Sequence, residues 1–212
     1  MTSASSPLVG LGTTARVLRG LLALLIIAAT IEAYSGPNIF AFFTILSNML
    51  ALVLLAGQAL FPRWIESNAS FRGAVTVYMT ITGLVYAVLL APIAADVGSY
   101  APWANFTHHN LGPGAIVVDW LLFPPIKKIS RRMAWLWLIF PAGYFTFSLI
   151  RGAGVNWYPY PFLNPTRVGG YGFVALYAAG IFIVFVVIAM FTRWWADVRG
   201  VIPERVGLLP AS

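Results

Sequence analysis

Six apolar stretches, each about as long as a membrane-spanning helix, take up most of this 212-residue chain. A bilayer core about 30 Å thick needs about 20 apolar residues to cross it as an α-helix. Hydrophobic residues make up 60% of the sequence and charged residues only 9%, which is far from the balance of a soluble domain. We therefore expect an all-α, polytopic membrane protein, a bundle of six transmembrane helices. The predicted spans lie near residues 16–34, 38–61, 73–95, 106–126, 133–151 and 171–193.

The spans are expected to form one domain, residues 16–193, between an N-terminal tail (1–15) and a C-terminal tail (194–212). Two arginines precede the first apolar run, as in a signal peptide. The run continues to Tyr34 without a clear cleavage site, so we expect an uncleaved first span. The sequence has no cysteine, which excludes disulfides and thiolate chemistry.

Basic residues are distributed unevenly about the predicted spans. Of 13 Lys and Arg residues, only Arg151 and Arg167 fall on one side, and all the others fall on the opposite side. The positive-inside rule places that basic side, with both termini, in the cytoplasm. The net charge of +7 is then an orientation signal that favours contact with the lipid bilayer, and no nucleic acid partner is expected.

Polar side chains within a span are candidates for function because their burial in a bilayer is costly. Thr44 and Asn48 share one helix face of the second span, with Ser47 beside them. Thr44 lies seventeen residues before Phe61, and His109 lies seventeen before Ile126, at the inner ends of their spans. Each is therefore about 25 Å above that end. If the two spans are neighbours, the hydroxyl and the imidazole share one layer.

The fourth span carries several unusual residues. Pro113 offers no N–H to the carbonyl of His109, so the helix is expected to open there, where it is buried or lines a wet cavity. Asp119 lies ten residues below His109, about 15 Å along the axis, and cannot touch it. Structural pairing of Asp119 with a polar partner is one interpretation, and a proton relay is the other. His108 is either an interfacial or capping residue or polar support for a site.

Less specific interpretations stay open for the other candidates. An intramembrane threonine such as Thr44 often bonds its own helix or joins two helices. Arg151 either anchors to lipid phosphate or binds a substrate carboxylate, and Glu32 is expected to pair with Arg151 or Arg167. Haem or metal bound by histidine alone is excluded, since the only two histidines are adjacent on one segment.

Three stretches, FAFFTILSN, HHNLGPGAIVVDWLLFPP and NWYPYPFLN, resemble the androgen-induced and androgen-dependent TFPI-regulating proteins and their bacterial six-span relatives. The resemblance implies a threonine hydrolase of fatty acid esters of hydroxy fatty acids, in a bacterial inner (plasma) membrane. It implies Thr44 as the nucleophile. It also implies His109 as the functional histidine, ten residues before Asp119 and four before Pro113. Tyr160 falls in the corresponding YPFL stretch, as a substrate-contacting or structural residue.

The expected function is an intramembrane hydrolase that cleaves a lipid ester and needs no metal or organic cofactor. His109 takes the proton of Thr44, whose oxygen attacks the ester carbonyl. Asn48, or backbone N–H groups freed near Pro113, stabilise the oxyanion. The alternative is a non-catalytic lipid- or solute-binding membrane protein or transporter, in which His109 and Asp119 serve transport or regulation.

Overall fold

A computed structural model of the chain describes residues 7–34, 36–61, 68–93, 100–125 and 127–199. Within these ranges the chain is helical and contains no strand, so the predicted all-α class is confirmed. In chain order the α-helices are α1 (Pro7–Glu32), α2 (Phe43–Leu60), α3 (Ala69–Val85), α4 (Pro102–Phe106), α5 (Gly112–Leu122), α6 (Arg131–Leu136), α7 (Ile139–Val155), α8 (Pro165–Val168) and α9 (Tyr171–Arg199).

Five helices in the described ranges are long and apolar enough to cross a membrane. They cover Gly12–Glu32, Phe43–Leu60, Ala69–Ile93, Arg131–Val155 and Tyr171–Arg199. The third extends α3 through a π-turn and a short 3-10 turn, and the fourth combines α6 with α7. Large apolar side chains cover the outer faces of these helices, as on lipid-facing surfaces. Ile150 is 71% exposed and Leu176 is 68% exposed.

The fourth predicted span, 106–126, corresponds to a helical unit over residues 102–122. It consists of α4, a π-turn (Thr107–Leu111) and α5, and it is about 30 Å long. Its first half carries many polar residues, and it is not one of the five apolar helices. The unit packs against α1, α2 and α3. The assumed proximity of the second and fourth predicted spans is therefore observed.

The start of α2 is held by aromatic rings. Phe43 packs against four of them, with ring centroids 5.2–6.2 Å away. These four rings belong to Tyr78, Phe140, Tyr144 and Phe185. Aromatic pairs at such distances add to the stabilisation that burial alone provides. They fix the position of the residue that follows Phe43, which is Thr44.

Asp119 pairs with side chains of three other helices at the end of the bundle remote from Thr44. Arg19 Nε donates to Asp119 Oδ1 at 2.7 Å, and Gln58 Nε2 donates to Oδ2 at 3.1 Å. Arg72, which is 1% exposed, lies 3.4 Å from Oδ2 and also donates to the Phe123 carbonyl at 2.6 Å. Asp119 therefore links α1, α2, α3 and α5, in agreement with the structural interpretation of this residue.

We expect Arg72→Ala to lower the free energy of unfolding by about 3 kcal/mol. The change removes a buried cation from beside a half-buried carboxylate and leaves the Phe123 carbonyl without its donor. Denaturant unfolding of the purified protein in detergent measures the difference. Arg132→Ala, an exposed arginine on α6, is the matched control and should change stability by less than about 0.5 kcal/mol. Equal losses in the two variants would contradict the structural role of the Arg72 contacts.

Candidate active site

Thr44 is the second residue of α2, and this position determines its surroundings. The backbone is extended at Phe42 (φ −89°, ψ 128°), so the helix begins at Phe43. The first N–H groups of a helix have no acceptor within it, and they carry a partial positive charge. The N–H of Thr44 instead donates to the hydroxyl of Tyr160 at 3.2 Å. The Thr44 side chain thus lies at an electropositive helix end.

Thr44 and His109 are in direct contact. Thr44 Oγ1 lies 3.2 Å from His109 Nε2, and Nδ1 of the same ring lies 3.1 Å from the Asn105 carbonyl oxygen. A carbonyl can only accept, so Nδ1 carries the proton and Nε2 presents its lone pair to Thr44. The Tyr86 ring stacks on the imidazole, with centroids 4.1 Å apart and an interplanar angle of 18°. These contacts orient His109 as a proton acceptor for the Thr44 hydroxyl.

The sequence predicts that the helix opens at Pro113. In the structure it stays closed and widens into a π-turn instead. The N–H of Gly112 donates to the Thr107 carbonyl, five residues earlier, so the chain stays helical across the break. A Cβ built on Gly83 of α3 would lie 3.3 Å from the His109 carbonyl oxygen and 3.2 Å from Pro113 Cβ. The freed carbonyl therefore faces the backbone of α3 closely, rather than a wet cavity.

His108 points away from Thr44 and is fully buried. Its Nε2 lies 3.1 Å from Thr30 Oγ1, and its Nδ1 lies 2.9 Å from the Tyr100 hydroxyl. Because the Thr30 hydroxyl donates its proton to the Ile26 carbonyl, Nε2 must donate to Thr30 and Nδ1 must accept from Tyr100. His108 joins the π-turn to α1, so it is neither an interfacial residue nor a part of the Thr44 site.

Asn48 and Ser47 support the backbone of the site. Asn48 Nδ2 donates to the Thr44 carbonyl at 2.8 Å and to the His108 carbonyl at 3.2 Å. Both of its N–H groups are used, so the expectation that Asn48 stabilises an oxyanion does not fit the structure. Ser47 Oγ donates to the Thr44 carbonyl at 3.0 Å and lies 2.8 Å from Thr82 Oγ1. Together they hold the first turn of α2 against α3 and the π-turn.

Tyr160 reaches Thr44 from the segment between α7 and α8. Its hydroxyl lies 3.3 Å from Thr44 Oγ1, in addition to accepting from the Thr44 N–H. Its ring stacks on Phe162 with centroids 5.2 Å apart, and the residue is 9% exposed. Burial raises the pKa of the Tyr160 phenol, so it stays protonated and able to donate. The YPFL stretch marked Tyr160 in the sequence, but nothing there indicated contact with Thr44.

Arg151, Glu32 and Arg167 are arranged differently from the prediction. Arg151 Nη2 donates to Asn38 Oδ1 at 2.7 Å, and its guanidinium lies 5.0 Å from the Trp157 ring centroid. No ion pair joins Glu32 to either arginine in the described part of the chain, so that expectation is wrong. Arg151 therefore braces the segment before α2 against the segment after α7.

Thr44 lies where two cavities meet. The polar cavity has a volume of about 720 Å³, and the apolar cavity has a volume of about 370 Å³. Both are within the range of small-molecule sites. Thr44, Leu90 and Tyr160 line both cavities. The polar cavity is also lined by Glu32, Tyr86, Tyr100, Asn105, His109 and Arg167.

The described residues contain no group of three or more His, Cys, Asp or Glu side chains that could hold a metal ion. In comparisons with known proteins, the chain matches no protein-family model, no curated protein and no solved structure. The family resemblance in three short stretches stays a prediction.

We expect Gly112→Ala to lower the free energy of unfolding by about 1–3 kcal/mol. A Cβ at Gly112 would lie 2.9 Å from the Thr107 carbonyl oxygen and 3.4 Å from Asn48 Oδ1, so the π-turn must shift. Gly114→Ala is the matched control, because a Cβ there has no atom within 4 Å. That variant should be as stable as wild type or gain up to about 1 kcal/mol of helix propensity. Thermal unfolding measures both, and equal behaviour would contradict the tight packing at Gly112.

Proposed function

We propose that this protein is a membrane-embedded hydrolase of lipid esters, with Thr44 as nucleophile and His109 as general base. The observation that carries the proposal is the 3.2 Å contact between Thr44 Oγ1 and His109 Nε2 on the wall of a cavity. The hydrogen bond from Nδ1 to the Asn105 carbonyl supports it, because it directs the basic nitrogen at the hydroxyl. The resemblance supports the same two residues and a substrate of the fatty acid ester of hydroxy fatty acid type.

The proposed reaction proceeds through an acyl-enzyme. Nε2 of His109 accepts the Thr44 hydroxyl proton while Oγ1 bonds to the ester carbonyl carbon. The tetrahedral intermediate collapses, the ester C–O bond breaks, and His109 gives the proton to the departing alcohol oxygen. Water then attacks the Thr44 ester with His109 again as base, which releases the carboxylic acid and restores the hydroxyl.

The oxyanion of each tetrahedral intermediate needs donors close to Thr44. The backbone N–H of Thr44 and the hydroxyl of Tyr160 are both suitable, and in the structure they bond to each other. A substrate carbonyl oxygen would replace the Tyr160 hydroxyl as the acceptor of the Thr44 N–H. It would also accept a hydrogen bond from the Tyr160 hydroxyl. The positive end of α2 adds a favourable potential at the same point. This pair replaces Asn48 as the proposed oxyanion site.

The proposal includes a topology with six crossings. The helical unit over residues 102–122 serves as the sixth span, its polar half shielded by α1, α2 and α3. The Arg19, Arg72 and Asp119 cluster then lies towards the cytoplasm, with both termini, and the polar cavity opens on the outer side. An inner (plasma) membrane location in a bacterium follows from the resemblance alone.

A non-catalytic lipid-binding protein is the second candidate. One observation favours it: Thr30 and His108 also form a threonine–imidazole contact, 3.1 Å long with the imidazole as donor, although neither residue lines the two cavities. A threonine–imidazole contact in this fold can therefore be purely structural. The two Thr–His pairs provide an internal comparison that separates the candidates.

We expect a fluorophosphonate probe to label the purified protein at Thr44, as identified by mass spectrometry of the labelled peptide. Thr44→Ala should abolish labelling, and His109→Ala should slow it by about 10²–10⁴-fold, because the base is lost. Thr30→Ala, which disrupts the other Thr–His contact, should label at nearly the wild-type rate. A folded wild-type protein that is not labelled, or is labelled equally well as Thr44→Ala, would favour the binding protein.

We expect Tyr160→Phe to lower kcat for ester cleavage by about 10²–10³-fold with little change in KM, because it removes one oxyanion donor. Tyr171→Phe is the matched control, since its hydroxyl contacts the Tyr158 hydroxyl and the residue lines neither cavity. It should keep nearly the wild-type kcat. Steady-state hydrolysis of a p-nitrophenyl ester measures both variants. A Tyr160→Phe enzyme with wild-type kcat would eliminate the phenol from the oxyanion site.

A further inference from the structure

We infer that the apolar cavity is the binding site for the hydrocarbon chain of the ester, and that it opens sideways into the bilayer between α7 and α9. This inference rests on the proposed function, because it takes Thr44 as the point where the ester is cleaved. It adds the route by which the substrate arrives and the position of its acyl chain.

Helix α7 is held to the bundle by large side chains rather than by close backbone packing. Phe140 and Tyr144 reach across to Phe43, with centroid distances of 5.6 and 5.2 Å. The Tyr144 hydroxyl also donates to the Ala41 carbonyl at 2.8 Å. Only Pro141, Ser148 and Gly152 are buried on the whole helix. These large side chains keep the backbone of α7 away from the bundle, and the apolar cavity lies in the space between them.

The mouth of the cavity lies on the exposed faces of α7 and α9. Four of its lining residues are exposed: Ala142 and Thr146 on α7, and Ala179 and Phe182 on α9. Ala142 and Ala179 are at least eight residues from the ends of their candidate spans, or about 12 Å along the helix. An opening at that depth faces acyl chains and not water.

The lining of the cavity suits a hydrocarbon. Away from Thr44, the threonine hydroxyls of the lining bond to carbonyls of their own helices: Thr82 donates to the Tyr78 carbonyl and Thr146 to the Ala142 carbonyl. The Tyr144 hydroxyl is similarly occupied by the Ala41 carbonyl. These groups have no proton left to donate to a polar solute. An apolar surface remains, which gains free energy by burying methylene groups.

The apolar cavity reaches Thr44, which also lines the polar cavity. An acyl chain that enters between α7 and α9 would bring its ester carbonyl to Thr44 Oγ1. The polar part of the lipid would then lie among Glu32, Asn105 and Arg167. The acyl chain on one side of the ester bond thus lies in the apolar cavity, and the polar part on the other side lies in the polar cavity.

The test uses tryptophan to fill the mouth. Ala142→Trp and Ala179→Trp should each lower kcat/KM for p-nitrophenyl palmitate in lipid vesicles by about tenfold or more. The same variants should cleave water-soluble p-nitrophenyl acetate within about threefold of wild type, since its short chain does not need the cavity. Ala153→Trp and Ala175→Trp are matched controls, because these exposed alanines lie on the same two helices outside the cavity. They should leave both activities unchanged.

Failure of the proposed function and failure of the lateral acyl site give different results. If the wild-type protein cleaves neither ester and takes no fluorophosphonate, the proposed function fails. If it cleaves the acetate but not the palmitate, or if mouth and control variants cleave the palmitate equally, the lateral acyl site is overturned while the hydrolase stands.

A second set of variants covers the case in which a tryptophan prevents folding. The chain has no cysteine, so Ala142→Cys and Ala179→Cys each introduce a single thiol that is modified after folding. Modification with a benzophenone maleimide should block palmitate cleavage and spare acetate cleavage. Equal effects of the maleimide on the two esters would also overturn the lateral route.

Discussion

The hydrogen bond from the Gly112 N–H to the Thr107 carbonyl widens one helical turn, and the arrangement of the site depends on this turn. Both histidines lie in this turn, and their side chains point in different directions, so His108 faces α1 while His109 faces α2. His108 is enclosed by hydroxyls and joins helices, whereas His109 borders a cavity and meets Thr44. Two residues of the same type, side by side, therefore have different roles.

The proximity of Thr44 and His109 was accessible from sequence because helices rise by a constant amount per residue. Two spans that cross one layer can be compared by counting from a common boundary, and the observed 3.2 Å contact agrees with that count. The polar partners of Asp119 were similarly foreseeable, since a carboxylate inside a bundle needs compensation. These predictions need only depth and burial.

Other features depend on side-chain direction and on irregular backbone, which spacing does not determine. Asn48 shares a face with Thr44, but its amide is used by two carbonyls, one of them in the π-turn. The role of Tyr160 depends on how the segment after α7 folds back over α2. Pro113 signalled an irregular helix correctly, although the sequence could not show that a π-turn would absorb the break. Thr107, His108 and His109 are buried because three helices pack against this unit, which is a tertiary effect.

Because Thr44 is the second residue of α2, a change of partner at its N–H does not disturb the hydrogen bonds that hold the helix. The N–H groups in the first turn of a helix have no partner in the helix ladder, so Thr44 can exchange the Tyr160 hydroxyl for another acceptor without breaking any helical hydrogen bond. Its carbonyl, by contrast, is anchored by Ser47 and Asn48. Thr44 thus takes no part in the helix ladder through its N–H, while its carbonyl is held by two side chains. A residue so placed can change partners repeatedly while the surrounding bundle stays still.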